Sequence, residues 1–147
     1  MPSQYSPVPP APFEIRDRVR WSHCDPMGII WYGTYLRFIE AAEAEMFRAC
    51  GFPFSERLGE RGLMIPRKAL ELLFHSPAEL DEEVLVQAWV ERLGVSSLTM
   101  RFEIVRAADR TPRASALLTV VNVDVKLMKK QPLRDDVRQA LSRYLFP

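Results

Sequence analysis

The chain has 147 residues, 48% apolar and 27% charged, with a net charge of +1, which suits one domain with a real core and is too little for two ordinary ones. So small a net charge excludes a bulk attraction to nucleic acid or to an anionic membrane, and there is no run of about 18 apolar residues to insert stably in a bilayer. Cys24 and Cys50 do not make a disulfide framework; they read as reduced thiols of a cytoplasmic protein.

Residues 1–12 are rich in Pro and Ser and lack the basic-then-apolar order of a secretory signal. They read as a flexible arm, and residues 13–147 as a single domain. Phe13, Ile15, Val19 and Trp21 alternate with Glu14, Arg16, Arg18 and Arg20, the period of a strand with one buried face. Pro26 and Gly28 punctuate a loop over residues 22–30. Tyr35, Phe38, Ile39, Ala42 and Met46 then recur at helical spacing, with Arg37, Glu40 and Glu43 on the opposite side, until Gly51 and Pro53 stop the helix. Residues 55–62, charged and holding Gly59 and Gly62, read as a short helix or loop.

Beyond them the period is two. Leu70, Leu72 and Phe74 form one strand face, closed by Pro77. Val84, Val86, Ala88 and Val90 form the next, ended by Gly94, and Leu98, Met100, Phe102 and Ile104 form a third. Residues 107–112 read as a hairpin loop. Residues 115–125 are apolar on both faces, as in a central strand, and Val137, Ala140, Leu141 and Tyr144 mark a closing helix within 133–145. The order predicts an α+β fold: one long helix covered by a curled antiparallel sheet of about five strands, the last four in a meander. Leu85 and Trp89 fall on the outward face of their strand, which suggests oligomerisation.

The densest cluster of unusual residues is the stretch 22–35. Asp25 stands at a strand end, Pro26 and Gly28 turn the chain, and a helix begins within a few residues. Helix N-termini present unpaired N–H groups, which can polarise a carbonyl and stabilise an oxyanion. A carboxylate beside them is a minimal acyl-transfer machine, as nucleophile or as general base for water. The same placement also describes an ordinary cap or turn-forming aspartate, and spacing alone leaves both readings open.

Asp25-Pro26-x-Gly28-Ile29-x-Trp31-Tyr32-x-x-Tyr35 resembles the signature of the 4-hydroxybenzoyl-CoA thioesterase family of hotdog proteins. Cys50-Gly51-x-Pro53 and the Asp81-Glu82-Glu83 turn after Pro77 are similar to that family too, and the resemblance runs from Glu14 to Val125. It implies a hotdog fold and hydrolysis of an acyl thioester, aromatic acyl groups included, carried by coenzyme A or acyl carrier protein. Asp25 matches the catalytic carboxylate, and the backbone N–H of Tyr32 matches the donor to the thioester carbonyl. Trp31 and Gly33 flank that donor as substrate contacts. Tyrosine rather than histidine at position 32 favours the hydroxybenzoyl branch. Sites in this fold form at dimer interfaces, so the resemblance implies a homodimer or homotetramer, and neither a metal nor a redox cofactor. One departure stands out: the turn Leu93-Gly94-Val95-Ser96 has only Arg92 close by, where that branch carries a basic cluster for the phosphates of coenzyme A. Arg67-Lys68 resembles a basic pair of other members and is the substitute. Neighbours on a strand face opposite ways, so Arg67 alone is taken as the contact.

Other residues have blander readings beside functional ones. On an extended strand His23 would share a side with Asp25 and tune it, or it is a hydrogen-bonded strand-end histidine. Cys24 would face away from Asp25 with no base in reach, and Cys50 reads as packing. His75 reads as structural or exposed, and Lys126, Lys129 and Lys130 as a solvated face or a phosphate contact. Two rival functions remain: a hydratase or dehydratase on the same fold, with His23 as its base, and a non-catalytic acyl-CoA-binding module.

Overall fold

A computed structural model describes residues 12–56 and 58–146; residues 1–11 of the expected arm lie outside the described residues. The N-terminal alternation builds β1 (Phe13–Arg18), shorter than its pattern suggested. The chain leaves the sheet after Val19, and Trp21–His23 closes a 3-10 turn that leaves Trp21 85% exposed rather than on a buried face.

The helical pattern becomes α1 (Tyr35–Ala49), with Tyr35, Phe38, Ile39, Ala42, Met46 and Phe47 buried. Gly51, at φ +89°, ends it in the left-handed conformation that glycine adopts without strain. Glu43 is the exception to the expected face: it is fully buried. It lies four residues after Ile39, so it shares the inward stripe, and Arg67 supplies its counter-charge.

The remaining strands are β2 (Arg67–Phe74), β3 (Glu83–Leu93), β4 (Ser97–Arg106) and β5 (Pro112–Val121). The sheet order is β1-β3-β4-β5-β2, antiparallel throughout. The expected four-strand meander is therefore a three-strand one. β2 passes over β3 and β4 to pair with β5 at the far edge, and β4 rather than β5 is the central strand. Val84, Val86, Ala88, Met100, Phe102 and Ile104 face α1 and are buried, each large side chain contributing about 1.5–3 kcal/mol on leaving water.

The closing helix is α2 (Asp135–Leu141), followed by a 3-10 turn, Ser142–Tyr144. Leu133, Val137 and Leu141 join the core, and the Cys50 thiol donates to Ala140 O at 3.6 Å, tying the end of α1 to α2.

The outward face differs from expectation. Leu85 points outward yet is buried between its neighbours Arg16 and Val105, and Trp89 packs edge-on against Phe146 at 5.6 Å. The apolar surface left open is on β2 instead, where Leu70, Leu73 and Phe74 are about half exposed, and among the described residues no strand pairs with its outer edge.

Candidate active site

Asp25 opens a loop that closes on itself. Its N–H donates to Ile29 O at 2.9 Å, Gly28 N–H donates back to Asp25 O at 3.0 Å, and Gly28 sits at φ +77°. Pairing of Cys24 with Ile30 then sets the two arms of the loop side by side, about 5 Å apart. The Asp25 carboxylate is partly buried, and its Oδ1 accepts the Met27 N–H at 2.8 Å. That bond fixes one oxygen; among the described residues the other has no hydrogen-bond partner. The turn-forming bond thus occupies one oxygen of this aspartate and leaves the other open.

Two residues past Ile30 the chain enters a 3-10 turn, Tyr32–Thr34, that runs straight into α1. Trp31 N–H and Thr34 Oγ1 both donate to His23 O, at 2.8 and 3.1 Å, which pins the start of this turn to the residues just before Asp25. The next two N–H groups, of Tyr32 and Gly33, donate to no protein acceptor among the described residues. They have the geometry of the orphan donors at any helix start, and the positive end of the helix dipole lies behind them. The Trp31 ring lies against Gly33: a Cβ at position 33 would stand 2.1 Å from the indole, so glycine is what admits the ring there.

A strap over residues 76–82 holds this assembly from behind. Ile30 N–H donates to Ala78 O at 2.9 Å, and Asp81 N–H donates to Val19 O at 2.8 Å. The strap is anchored by a well-buried pair: Arg113 Nε donates to Glu82 Oε2 at 2.9 Å, and its Nη1 donates to Ser76 Oγ at 2.9 Å. Tyr35 is buried and faces the sheet as expected, its hydroxyl accepting the Ala78 N–H at 3.4 Å.

From the helix start a groove runs between α1 and β2, which point in opposite directions. At the near end Phe74 lies against Tyr32 and Tyr35, with ring centroids 6.3 and 5.7 Å apart, beside a cleft of about 250 Å³. Farther along the same two elements lies a separate cavity of about 440 Å³ lined by Leu36, Ile39, Phe54 and Leu70, by the exposed Glu40 and Lys68, and by Glu43 and Arg67. Asp25, Trp31, Tyr32 and Gly33 thus form one cluster, and Arg67 lies a groove's length away. Its guanidinium is bound to the Glu43 carboxylate. Burial pushes the Glu43 carboxyl up from the ordinary range, and Arg67 pulls it partly back. Sequence reasoning missed Glu43, Phe74 and the Arg113–Glu82 anchor; the only local sign was the acidic turn after Pro77.

The neighbouring groups are structural. His23 is not on an extended strand: its Nδ1 accepts the Arg20 N–H at 2.9 Å and its ring packs edge-on against Phe38 at 5.3 Å. Burial, then the charge of Arg20, lowers its pKa, so the ring is a neutral acceptor. The Cys24 thiol is pushed up by burial and by the Asp25 charge, the reverse of what a nucleophilic cysteine needs. His75 is exposed, with Nε2 2.7 Å from Ser115 Oγ. Lys126, Lys129 and Lys130 are all exposed. No helix of the described residues is long and apolar enough to cross a membrane.

Comparison with known proteins bears on the same residues. The chain is similar to the acyl-CoA thioester hydrolase YbgC of Escherichia coli, at 30% identity over 79% of this chain and 85% of that protein. It is 27% identical to the 4-hydroxybenzoyl-CoA thioesterase of Pseudomonas sp., over 63% of this chain and 67% of that one. Among solved structures, a thioesterase superfamily protein from Jannaschia sp. superposes with a TM-score of 0.83 at 26% identity, covering 96% of this chain and 98% of that chain. The fold is likewise that of a 1,4-dihydroxy-2-naphthoyl-CoA thioesterase from Synechocystis, at a TM-score of 0.82 over 88% and 95% of the two chains and 18% identity. The model of the thioesterase-like superfamily matches residues 19–141, from the end of β1 through α2 and including the Asp25 loop, and the chain belongs to that superfamily.

Proposed function

We propose that the protein hydrolyses an acyl-CoA thioester in the cluster around Asp25. The observation that carries this reading is a half-engaged carboxylate in a loop that backbone bonds hold next to a helix start with two N–H groups lacking a protein acceptor among the described residues. The thioester carbonyl oxygen accepts from Tyr32 and Gly33 N–H, which stabilise the negative charge that develops on it. Asp25 attacks the carbonyl carbon or takes a proton from the attacking water. Trp31, its ring against Gly33, flanks the oxyanion. An acyl carrier protein is the alternative bearer of the same thioester. The surroundings of His23 weigh against a hydratase, because its Nδ1 already accepts the Arg20 N–H and its ring is packed on Phe38. The test is thiol release from a panel of acyl-CoAs, read with a thiol reagent: release supports hydrolysis, and altered acyl unsaturation without release would turn the reading to the hydratase.

We further place the working form as a homodimer, in the cytoplasm. Both cysteines are free thiols, as a reducing compartment permits. β2 offers an unpaired edge with exposed Leu70, Leu73 and Phe74, the kind of strand that either pairs with a copy or aggregates. Pairing about a twofold axis closes both edges at once. Leu73→Lys puts a charge at that edge, and light scattering at micromolar concentration should shift from twice the chain mass to the monomer. A wild-type protein that is monomeric and fully active contradicts the assembly.

A further inference from the structure

Among the described residues one buried side-chain oxygen lacks any hydrogen-bond partner: Oε2 of Glu43. A buried carboxylate oxygen left unpaired is costly, and a native structure keeps such a group where something supplies the missing donor. Glu43 and Arg67 are at the far end of the 440 Å³ cavity, whose other walls include Leu36, Ile39, Phe54, Leu70 and Leu118. The cavity is of the size that small-molecule sites have. A separate cleft at Tyr32, Tyr35 and Phe74, beside the proposed oxyanion donors, lies toward the start of the same helix and the end of the same strand.

We propose that Glu43 is a specificity-determining acceptor, and that this groove takes a medium-length acyl chain of about ten carbons carrying a hydroxyl at the end remote from the thioester. The inference rests on the thioesterase reading for the position of the thioester. Length follows from the helix: Tyr35 to Glu43 spans eight residues, on the order of 12 Å at 1.5 Å each. An extended carbon chain with bonds of about 1.5 Å advances roughly 1.25 Å per carbon. A single-ring aromatic acyl group stops at Phe74 and leaves Glu43 unmet. The exposed Glu40 and Lys68 apart, the walls between are apolar, so the body of the chain is hydrocarbon.

The polar end follows from charge. Arg67 already neutralises the Glu43 carboxylate through its other oxygen, so a second cation would face the guanidinium and be repelled. A primary amide would meet the same two partners but bury a second N–H donor with no acceptor. A hydroxyl meets both partners: it donates to Glu43 Oε2 and accepts from one of the remaining guanidinium N–H groups. The terminal torsion of a glutamate is soft, so Oε2 turns toward the ligand without a change of backbone.

Calorimetric titration with S-decyl-CoA and S-(10-hydroxydecyl)-CoA tests this. These thioethers have no carbonyl and report on the groove whether or not the protein hydrolyses anything. The wild type should bind the hydroxylated analogue about tenfold more tightly, as a hydrogen bond to a charged group allows. Glu43→Gln should shrink that preference. Glu43→Leu combined with Arg67→Leu, which replaces the ion pair by apolar side chains and so leaves no buried charge unpaired, should invert it. Equal affinities in the wild type, no binding of either analogue, or an unchanged preference in both variants would overturn the assignment. Thiol release from decanoyl-CoA and 10-hydroxydecanoyl-CoA separates the two readings. Preference without release removes the hydrolase and keeps the groove; release without preference keeps the hydrolase and removes the groove.

Discussion

Asp25→Asn should fold and assemble as the wild type does and lose turnover by about 10²–10⁴-fold, the range for removing a general base. The amide retains an oxygen to accept the Met27 N–H, so the loop that closes from Asp25 N–H to Ile29 O has no reason to open. What the variant lacks is a group that can take a proton or carry the acyl carbon. KM for the acyl-CoA should change little, because the Tyr32 and Gly33 donors and the groove remain. Loss of kcat with KM preserved is the signature of an interaction made only in the transition state. Steady-state kinetics by thiol release, with circular dichroism to confirm folding, measures it. Near-normal turnover in a well-folded Asp25→Asn would return Asp25 to the role of a turn former.

The second large effect is on stability. Arg113 and Glu82 side chains are only 10% and 6% exposed, and removing Arg113 leaves Glu82, in a medium that solvates it poorly, with only the Arg106 Nε at 3.8 Å, too far for a hydrogen bond. Arg113→Ala should cost about 3–5 kcal/mol. For a domain of this size that lowers Tm by roughly 6–20 °C. The loss reaches the site, because the same pair anchors the strap whose Ala78 carbonyl holds Ile30. Arg113→Leu with Glu82→Leu removes both charges and should recover most of the stability while leaving the Ser76 hydroxyl without its guanidinium. Thermal denaturation of the three proteins at neutral pH decides the matter; a shift of Arg113→Ala below about 1 kcal/mol would mean that water replaces the guanidinium at no cost.

The Asp25 loop was legible because its own turn lies within eleven residues: the aspartate, the Pro-x-Gly turn, and the start of the helix; the strap that holds it through Ala78 O was not. The strands facing α1 were legible for a similar reason, since Val84, Val86, Met100, Phe102 and Ile104 announce their face by alternation alone. Partners distant in sequence were not. Glu43 looked like a solvent-side residue because its charge argued louder than its spacing, and its counter-charge, Arg67, belongs to another element. The position of β2 was misread because sequential strands usually pair as neighbours. Its apolar residues were accordingly assigned to a covered face, whereas at the sheet edge they form the open wall of the groove. Leu85 was misread in the opposite sense: its direction was right, but Arg16 and Val105 on the adjoining strands shield it.

The condition of Cys24 bears on which group meets the acyl carbon. The proposed reaction brings an acyl thioester one residue away from a protein cysteine, and attack by that sulfur would pass the acyl group to Cys24 and release coenzyme A as the thiol, a transfer that needs the thiolate. Burial and the adjoining Asp25 charge push the Cys24 thiol up, away from its ionised form, and its one described hydrogen bond is a donation to Arg20 O at 3.6 Å. The carboxylate proposed to cleave the thioester thereby also disfavours its neighbour as a rival nucleophile, keeping the acyl group from a covalent dead end.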